Sequence, residues 1–259
     1  MVVRSSLHRT KYSRGRPNAS QPDTWRALPP ELLVERIVPY DAAAHDLRGR
    51  VTALVAGVEG LGRFRDAARP RLEDFVMSED AWHHKDKQAG LTDAVLADAA
   101  FLAAFERFVV GWALPHVKAR LAAADGAYAA PTTFYYQRPP TLRLQPGPSE
   151  RFVACHDDAR YGHQPGELNF WLPLTDVAET RTTLEAESAP GRGDFHALAP
   201  RPGEVAVFHG TLCRHRVPPN PSACTRASLD FRVGVEGCFD PAWVLRGTLD
   251  DHHRSSVVL

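Results

Sequence analysis

The segment TRASLDFRVGV (Thr225–Val235) decides the fold. Successive side chains of a strand point to opposite faces. Read that way, Arg226, Ser228, Asp230 and Arg232 share one face, and Ala227, Leu229, Phe231 and Val233 share the other. The apolar face needs a core. The polar face, if it is also covered, needs partners, because an unpaired buried polar group is costly. An ion pair of Asp230 with Arg226 or Arg232 would occupy one arginine. The other would be left for a ligand carboxylate, held by a bidentate pair, with Ser228 adding a hydroxyl donor.

The same pattern runs upstream. From about Ala130, Pro and Gly divide the chain into TFYYQR, TLRLQ, RFVACHD, ELNFWLPL, TTLEAES, EVAVFHG and LCRHRV. With TRASLDFRVGV these make eight strand candidates, and a double-sheet jelly roll is the natural eight-strand solution. The first half reads helical. PPELLVERIVPY opens with Pro before a short amphipathic turn, and Leu47, Val51, Leu54 and Val58 form a helical stripe. In the Ala-rich run that follows, Phe101, Leu102, Phe105, Phe108 and Val109 share a face. Thr92 or Asp93 is expected to cap that helix, Pro115 to kink or divide it, and Gly126 to stop it. The expectation is an α+β fold: residues 1–30 as an arm, then one domain over 31–259. That domain has an N-terminal helical layer (31–128) and a jelly-roll core (130–237). The tail DDHHRSSVVL reads as a surface terminus.

Composition excludes several classes. The 259 residues are 44% hydrophobic and 24% charged, as in ordinary globular proteins. Lys+Arg and Asp+Glu are both 31, so the basic excess of a nucleic-acid partner is missing. No apolar run approaches the roughly 20 residues of a membrane span. The basic, Ser- and Pro-rich N-terminus has no apolar signal region. Cys155, Cys213, Cys224 and Cys238 show no C-x-x-C spacing and read as free thiols of a cytoplasmic protein, with Cys155 and Cys213 as small buried packing.

RFVACHDDARYGH (Arg151–His163) carries the chemistry. Strand parity places His156 and Asp158 on one face and turns Asp157 away. An imidazole and a carboxylate so placed can reach one cation, although H-x-D alone is a weak signal. GEVAVFHGTLCRHRVPPN offers His209, at the end of one strand, and His215, inside the next, as the third ligand. Two imidazoles and one carboxylate leave coordination positions open, which suits a non-haem Fe(II) oxygenase. His163 reads as a residue near the pocket mouth. His83, His84, His252 and His253 read as solvated.

H-x-D (His156, Asp158), a distal His (His215) and R-x-S eleven residues later (Arg226, Ser228) together resemble the Fe(II)/2-oxoglutarate-dependent oxygenases. PTLRLQPGP, HDDARYGHQPGELNFWLPLT, ESAPGRGDF and TRASLDFRV look like the streptomycin-biosynthesis branch of that superfamily. The resemblance implies a double-stranded β-helix, which is a jelly roll. It implies Fe(II) on His156, Asp158 and His215, and 2-oxoglutarate and O2 as cosubstrates, with ascorbate as an aid in vitro. The distal carboxylate of 2-oxoglutarate would meet Arg226 and Ser228, with Asn169 and Trp171 lining the cosubstrate site and Gln137, Arg143 and Gln145 as weaker contacts. It further implies a small-molecule substrate, an aminoglycoside or related sugar of antibiotic biosynthesis, oxidised by C–H hydroxylation or by oxidative ring (orthoester) closure. Carboxylates at the mouth would suit such a polycation, and Glu185, Glu187 and Asp194 are the set expected there. Glu185 itself departs from the branch, which carries an aromatic residue at that place. The alternatives are a cupin-type non-redox metal enzyme (a sugar isomerase or hydrolase) and a non-catalytic carbohydrate-binding jelly roll.

Overall fold

The computed structural model describes residues 26–78, 85–241 and 254–259. The arm before residue 26, and His83, His84, His252 and His253, lie outside the described residues. The helical half contains α1 (Pro30–Leu33), α2 (Leu47–Gly57), α3 (Lys85–Ala97), α4 (Ala99–Phe108) and α5 (Leu114–Ala124). It also holds three strands that periodicity did not reveal: β1 (Arg36–Pro39), β2 (Gly62–Phe64) and β3 (Phe75–Met77). All eight expected strands form. They are β4 (Thr133–Gln137), β5 (Thr141–Gln145), β6 (Val153–His156), β7 (Glu167–Pro173), β8 (Leu184–Ala186), β10 (Glu204–Phe208), β11 (His215–Val217) and β12 (Arg226–Val235). β9 (His196–Leu198) and β13 (Arg254–Val258) are additional. The end of the chain lies at the surface as an edge strand: β13 pairs with β4 from Arg254↔Gln137 to Val258↔Thr133.

Two antiparallel sheets build the jelly roll. The larger runs β1-β10-β7-β12-β4-β13, with β5 also on β12; the smaller runs β6-β11-β8-β9. β12 is the spine. One edge holds β7, and the other holds β5 and then β4. Its apolar face behaves as its alternation demands. Leu229, Phe231 and Val233 are fully buried, and the Phe231 ring meets Phe105 of α4 edge-on at 5.1 Å and stacks on Phe170 at 4.9 Å. Burying one such ring is worth about 1.5–3 kcal/mol, and it glues the helical layer to the outer face of the large sheet. A second, thinner core of Trp171, Leu184, Ala186, Leu198, Ala206, Phe208 and Val217 joins the inner faces of the two sheets.

The helical details differ from expectation. Thr92 and Asp93 lie inside α3, and the cap of α4 is Asp98, whose carboxylate accepts from Phe101 N at 2.8 Å. The division near Pro115 is a π-helical turn, Val109–Ala113. Proline has no N–H to donate back to the preceding turn, and the chain widens there before α5 begins. Ala99–Ala124 is one helical run of 26 residues with mean hydropathy 1.2, which by length and composition could cross a membrane. Half of its most apolar window is buried within the fold, and its aromatic stripe is the face that packs on β12.

Candidate active site

β6 and β11 are neighbours, and their register sets His156 directly opposite His215. Their ring centroids lie 4.4 Å apart. Each imidazole is oriented from behind. His156 Nδ1 donates to the Ala154 carbonyl at 2.7 Å and His215 Nδ1 to the Cys213 carbonyl at 3.1 Å. Those contacts turn both Nε2 atoms toward Asp158, whose Oδ1 lies 3.6 Å from His156 Nε2 and 3.5 Å from His215 Nε2. The three ligand atoms fall within 4.8 Å of one another. Burial, then the neighbouring His215, lowers the pKa of His156, so the ring is a neutral donor.

Asp158 reaches this place by a route that strand parity did not foresee. β6 ends at His156. Asp157 caps a 3-10 turn, Asp158–Tyr161, by accepting from Arg160 N at 3.0 Å. Asp157 does point away, but the cause is this cap and not strand alternation. Asp158 N donates to the Gly210 carbonyl at 2.9 Å. Gly210 N donates to Asn169 Oδ1 at 3.0 Å, and Asn169 Nδ2 donates to Asp158 Oδ2 at 2.7 Å. A Cβ at Gly210 would lie 2.7 Å from Asn169 Nδ2, so a larger residue there would push the Asn169 amide out of place.

Arg232, on the polar face of β12, finishes the clamp. Its Nε and Nη2 donate to Asp158 Oδ2 at 3.0 and 2.8 Å, and its Nη1 donates to Gln137 Oε1 at 3.1 Å. Oδ2 is thus saturated and Oδ1 faces the imidazoles. Burial alone would raise the pKa of Asp158, but the Arg232 guanidinium and then His215 outweigh it and hold the carboxyl well below its usual range. An ionised carboxylate beside two imidazoles is a donor set that fits a divalent cation. No motif in the sequence marks Arg232 for this role. Its position on the same strand face as Arg226 was the available signal.

The expected pairing of Asp230 is also corrected. Its main partner is Arg143 of β5, at 2.6 Å, while Arg232 stands 3.9 Å away. Arg226 is buried and has no carboxylate within ion-pair distance among the described residues. Its Nε donates to Gln145 Oε1 at 2.8 Å and its Nη1 to Ser228 Oγ at 3.1 Å. Burial, then the nearby Arg143, lowers its pKa to about 10. A desolvated guanidinium with one edge unmatched is a site for an anion.

These groups line one cavity of about 290 Å³ that includes His156, Asp158, His215, Arg226, Asn169 and Trp171. Ser228 reaches it through Arg226. His163 is no mouth residue: it is buried in the wall, with Nδ1 2.6 Å from Glu167 Oε2. His209 is not the third ligand, because its ring faces the other way, with Nε2 2.9 Å from the Pro165 carbonyl.

The acidic set fails as a mouth for a polycation. Glu185, Glu187 and Asp194 do not line this cavity. Glu185 pairs with Arg216 at 2.7 Å. Glu187, fully buried at its side chain, is held by Arg214 and by the backbone N–H groups of Gly191, Gly193 and Arg214. Asp194 accepts from Ser188 N at 3.1 Å and Ser188 Oγ at 2.6 Å. All four cysteines are free thiols, but Cys155 is exposed, since it points opposite to His156.

No protein-family model matches the chain. Among curated proteins, the streptomycin biosynthesis protein StrG of Streptomyces griseus is 34% identical over 107 residues, 41% of this chain and 50% of that protein. The match thus spans about half the length of that relative. Solved structures similar to this one include the nickel complex of the non-heme monooxygenase ThoJ, at 16% identity over 87% of this chain and 86% of that one, with a TM-score of 0.45. The non-heme alpha-ketoglutarate-dependent epimerase SnoN from nogalamycin biosynthesis is 16% identical over 84% of this chain and 92% of that one, with a TM-score of 0.47.

Proposed function

We propose that the protein is an Fe(II)- and 2-oxoglutarate-dependent oxygenase acting on a sugar- or aminocyclitol-containing small molecule of antibiotic biosynthesis. One observation carries the reading. Two imidazoles and an ionised carboxylate converge at one end of a cavity whose wall also holds a buried guanidinium without a carboxylate within ion-pair distance among the described residues. A metal enzyme without an oxidisable cosubstrate has no use for Arg226 beside Ser228. A carbohydrate-binding module has no use for either half.

His156 Nε2, His215 Nε2 and Asp158 Oδ1 would hold the metal, with Arg232 and Asn169 fixing the carboxylate. When bound, iron would let O2 oxidise 2-oxoglutarate to succinate and CO2, one oxygen atom entering succinate and the other serving the attack on a substrate C–H bond. Arg226 and Ser228 would hold the distal carboxylate of 2-oxoglutarate and so fix its reacting end at the metal. Trp171 shapes the apolar wall that excludes water from the reacting atoms. Asn169 serves the site through Asp158, since both ends of its amide are engaged inside the protein.

The finer reading is a role in the pathway of a streptomycin- or hygromycin B-type antibiotic, with hydroxylation or orthoester closure as the outcome. The likeness to StrG supports the first part. Aerobic incubation with Fe(II), ascorbate and 2-oxoglutarate across a panel of aminoglycosides and their sugar precursors tests it, with succinate as the readout. Substrate-dependent succinate is expected. Absence of succinate, together with no thermal shift from metal plus 2-oxoglutarate, would sink the oxygenase reading.

A further inference from the structure

Arg226 takes its direction from Gln145 of β5, which faces it across the β5–β12 pair. Both side chains are buried. Gln145 Oε1 accepts from Arg226 Nε at 2.8 Å, and Gln145 Nε2 donates to the carbonyls of Arg151 and Pro218 at 2.9 and 3.0 Å. The amide fits only one way round. Its NH2 meets two oxygens that can only accept, and its oxygen meets a guanidinium that can only donate. Both amide hydrogens are therefore spent inside the protein. Gln145 does not line the metal cavity. It stands behind Arg226, in a neighbouring cavity that shares Arg226 with the first, and backs the guanidinium rather than meeting a ligand itself.

The partners of that amide lie on both halves of the site. Arg151 leads into β6, which ends at His156, and Pro218 follows β11, which begins at His215. Val153 and Val217 pair at that same end. Arg226 belongs to the large sheet, and β6 and β11 to the small one. One side chain thus ties the guanidinium to both ligand-bearing strands. The backbone of Gln145 is held too: buried Asn220 donates from Nδ2 to its carbonyl at 2.9 Å and to the Cys224 carbonyl at 2.8 Å. An arginine side chain is long and flexible, and Arg226 has no carboxylate among the described residues to fix it. Gln145 on Nε and Ser228 Oγ on Nη1 fix its plane instead. With Nε occupied, the fork left for a ligand carboxylate is Nη1–Nη2.

We propose that Gln145 is a positioning residue that fixes the span from Arg226 to the metal ligands, and so makes the site select a 2-oxo acid by the distance to its second carboxylate. The proposal rests on the oxygenase reading and adds how that site chooses its cosubstrate. A guanidinium held at one distance suits 2-oxoglutarate. 2-Oxoadipate, longer by one methylene, must buckle to fit. 2-Oxovalerate, with a methyl group in place of the distal carboxylate, leaves the guanidinium without its anion.

The test uses the full chain with Mn(II) under nitrogen, titrated calorimetrically with 2-oxoglutarate, 2-oxoadipate and 2-oxovalerate. The unaltered protein is expected to bind 2-oxoglutarate about 10-fold or more tightly than either analogue, the worth of one charge-assisted contact. Gln145→Met keeps the length of the side chain and loses its three hydrogen bonds. In it the preference for 2-oxoglutarate over 2-oxoadipate falls to under about 3-fold, while 2-oxovalerate and Mn(II) each bind within about 3-fold of the unaltered protein. Gln145→Glu keeps an acceptor on Arg226 Nε and opposes its charge. It is expected to weaken 2-oxoglutarate about 10-fold or more and to leave 2-oxovalerate within about 3-fold. A role in folding alone would weaken all three acids together. Three outcomes overturn the proposal: equal loss of 2-oxoglutarate and 2-oxovalerate in the variants, an undiminished preference for 2-oxoglutarate in Gln145→Met, or either analogue binding the unaltered protein as tightly as 2-oxoglutarate, which is read without any variant. Failure of the oxygenase reading looks different. The unaltered protein with Mn(II) would then bind none of the three acids, and both readings would fall.

Discussion

Replacing Arg232 by methionine keeps most of the side-chain volume and removes both guanidinium bonds to Asp158 Oδ2, at 3.0 and 2.8 Å. Asp158 is buried and keeps only the Asn169 bond on that oxygen. Removing one member of a buried ion pair costs about 3–5 kcal/mol, because the remaining charge is desolvated and unopposed. In a chain of this size each kcal/mol moves Tm by roughly 2–4 °C, so the metal-free protein should melt about 6–20 °C earlier. The second effect is on the metal. Oδ1 faces His156 and His215 because Oδ2 is pinned, and loss of such an orienting partner weakens metal binding about 10- to 100-fold. Differential scanning calorimetry and a Co(II) titration read the two effects separately. Saturating metal should restore part of the lost Tm, since a ligand that binds only the folded state stabilises it. A variant with Tm within about 2 °C of the parent and unchanged Co(II) affinity would refute the clamp.

Arg226→Ala should weaken 2-oxoglutarate binding about 10- to 100-fold, the worth of a charge-assisted pair, and leave Co(II) binding within a few-fold; equal loss of both would put Arg226 in the wrong role. Acid should destabilise the protein through two glutamates. Burial would raise the pKa of Glu167, but His163 and then Arg254 hold it at about 2; the Arg214 side chain, above all, holds Glu187 at about 2. Both folded-state values lie below the unfolded ones, so their stabilisation is complete above about pH 4.5. It is lost as pH falls toward 2. Tm measured against pH should therefore drop through that window, and less steeply in Glu187→Gln. Phe231→Ala should cost about 3–5 kcal/mol in denaturant unfolding, because the ring joins Phe105 to Phe170; a loss under about 1 kcal/mol would mean that the helical layer is held elsewhere.

The strands of the jelly roll were legible because Pro and Gly divide the chain into short segments, several of which alternate between a core face and a polar face. Those missed lack that signal. Arg36–Pro39 ends in proline, His196–Leu198 has three residues, and RSSVV lies at a sheet edge with none of its residues fully buried. The candidate ligands His156, Asp158 and His215 were legible by type and spacing, although a turn and not strand parity brings Asp158 to the other two. The acidic set was misplaced for a reason that parity contained. If His215 faces inward, Arg214 and Arg216 must face outward, and the register sets Glu185 opposite Arg216. Glu185 and Glu187 therefore meet arginines on the outer face of the small sheet. Arg232 was missed because a carboxylate ligand needs a partner on its second oxygen, and only tertiary structure shows which of two same-face arginines supplies it.

The most direct test of the central claim is an oxygen-free titration of the protein with Fe(II) and 2-oxoglutarate, followed by visible absorption and calorimetry. One metal and one 2-oxoglutarate should bind per chain, with a charge-transfer band that needs both. His215→Ala should lose the metal, and Arg226→Ala should lose only the 2-oxoglutarate. Metal binding that survives His215→Ala, or 2-oxoglutarate binding indifferent to Arg226→Ala, would contradict that claim.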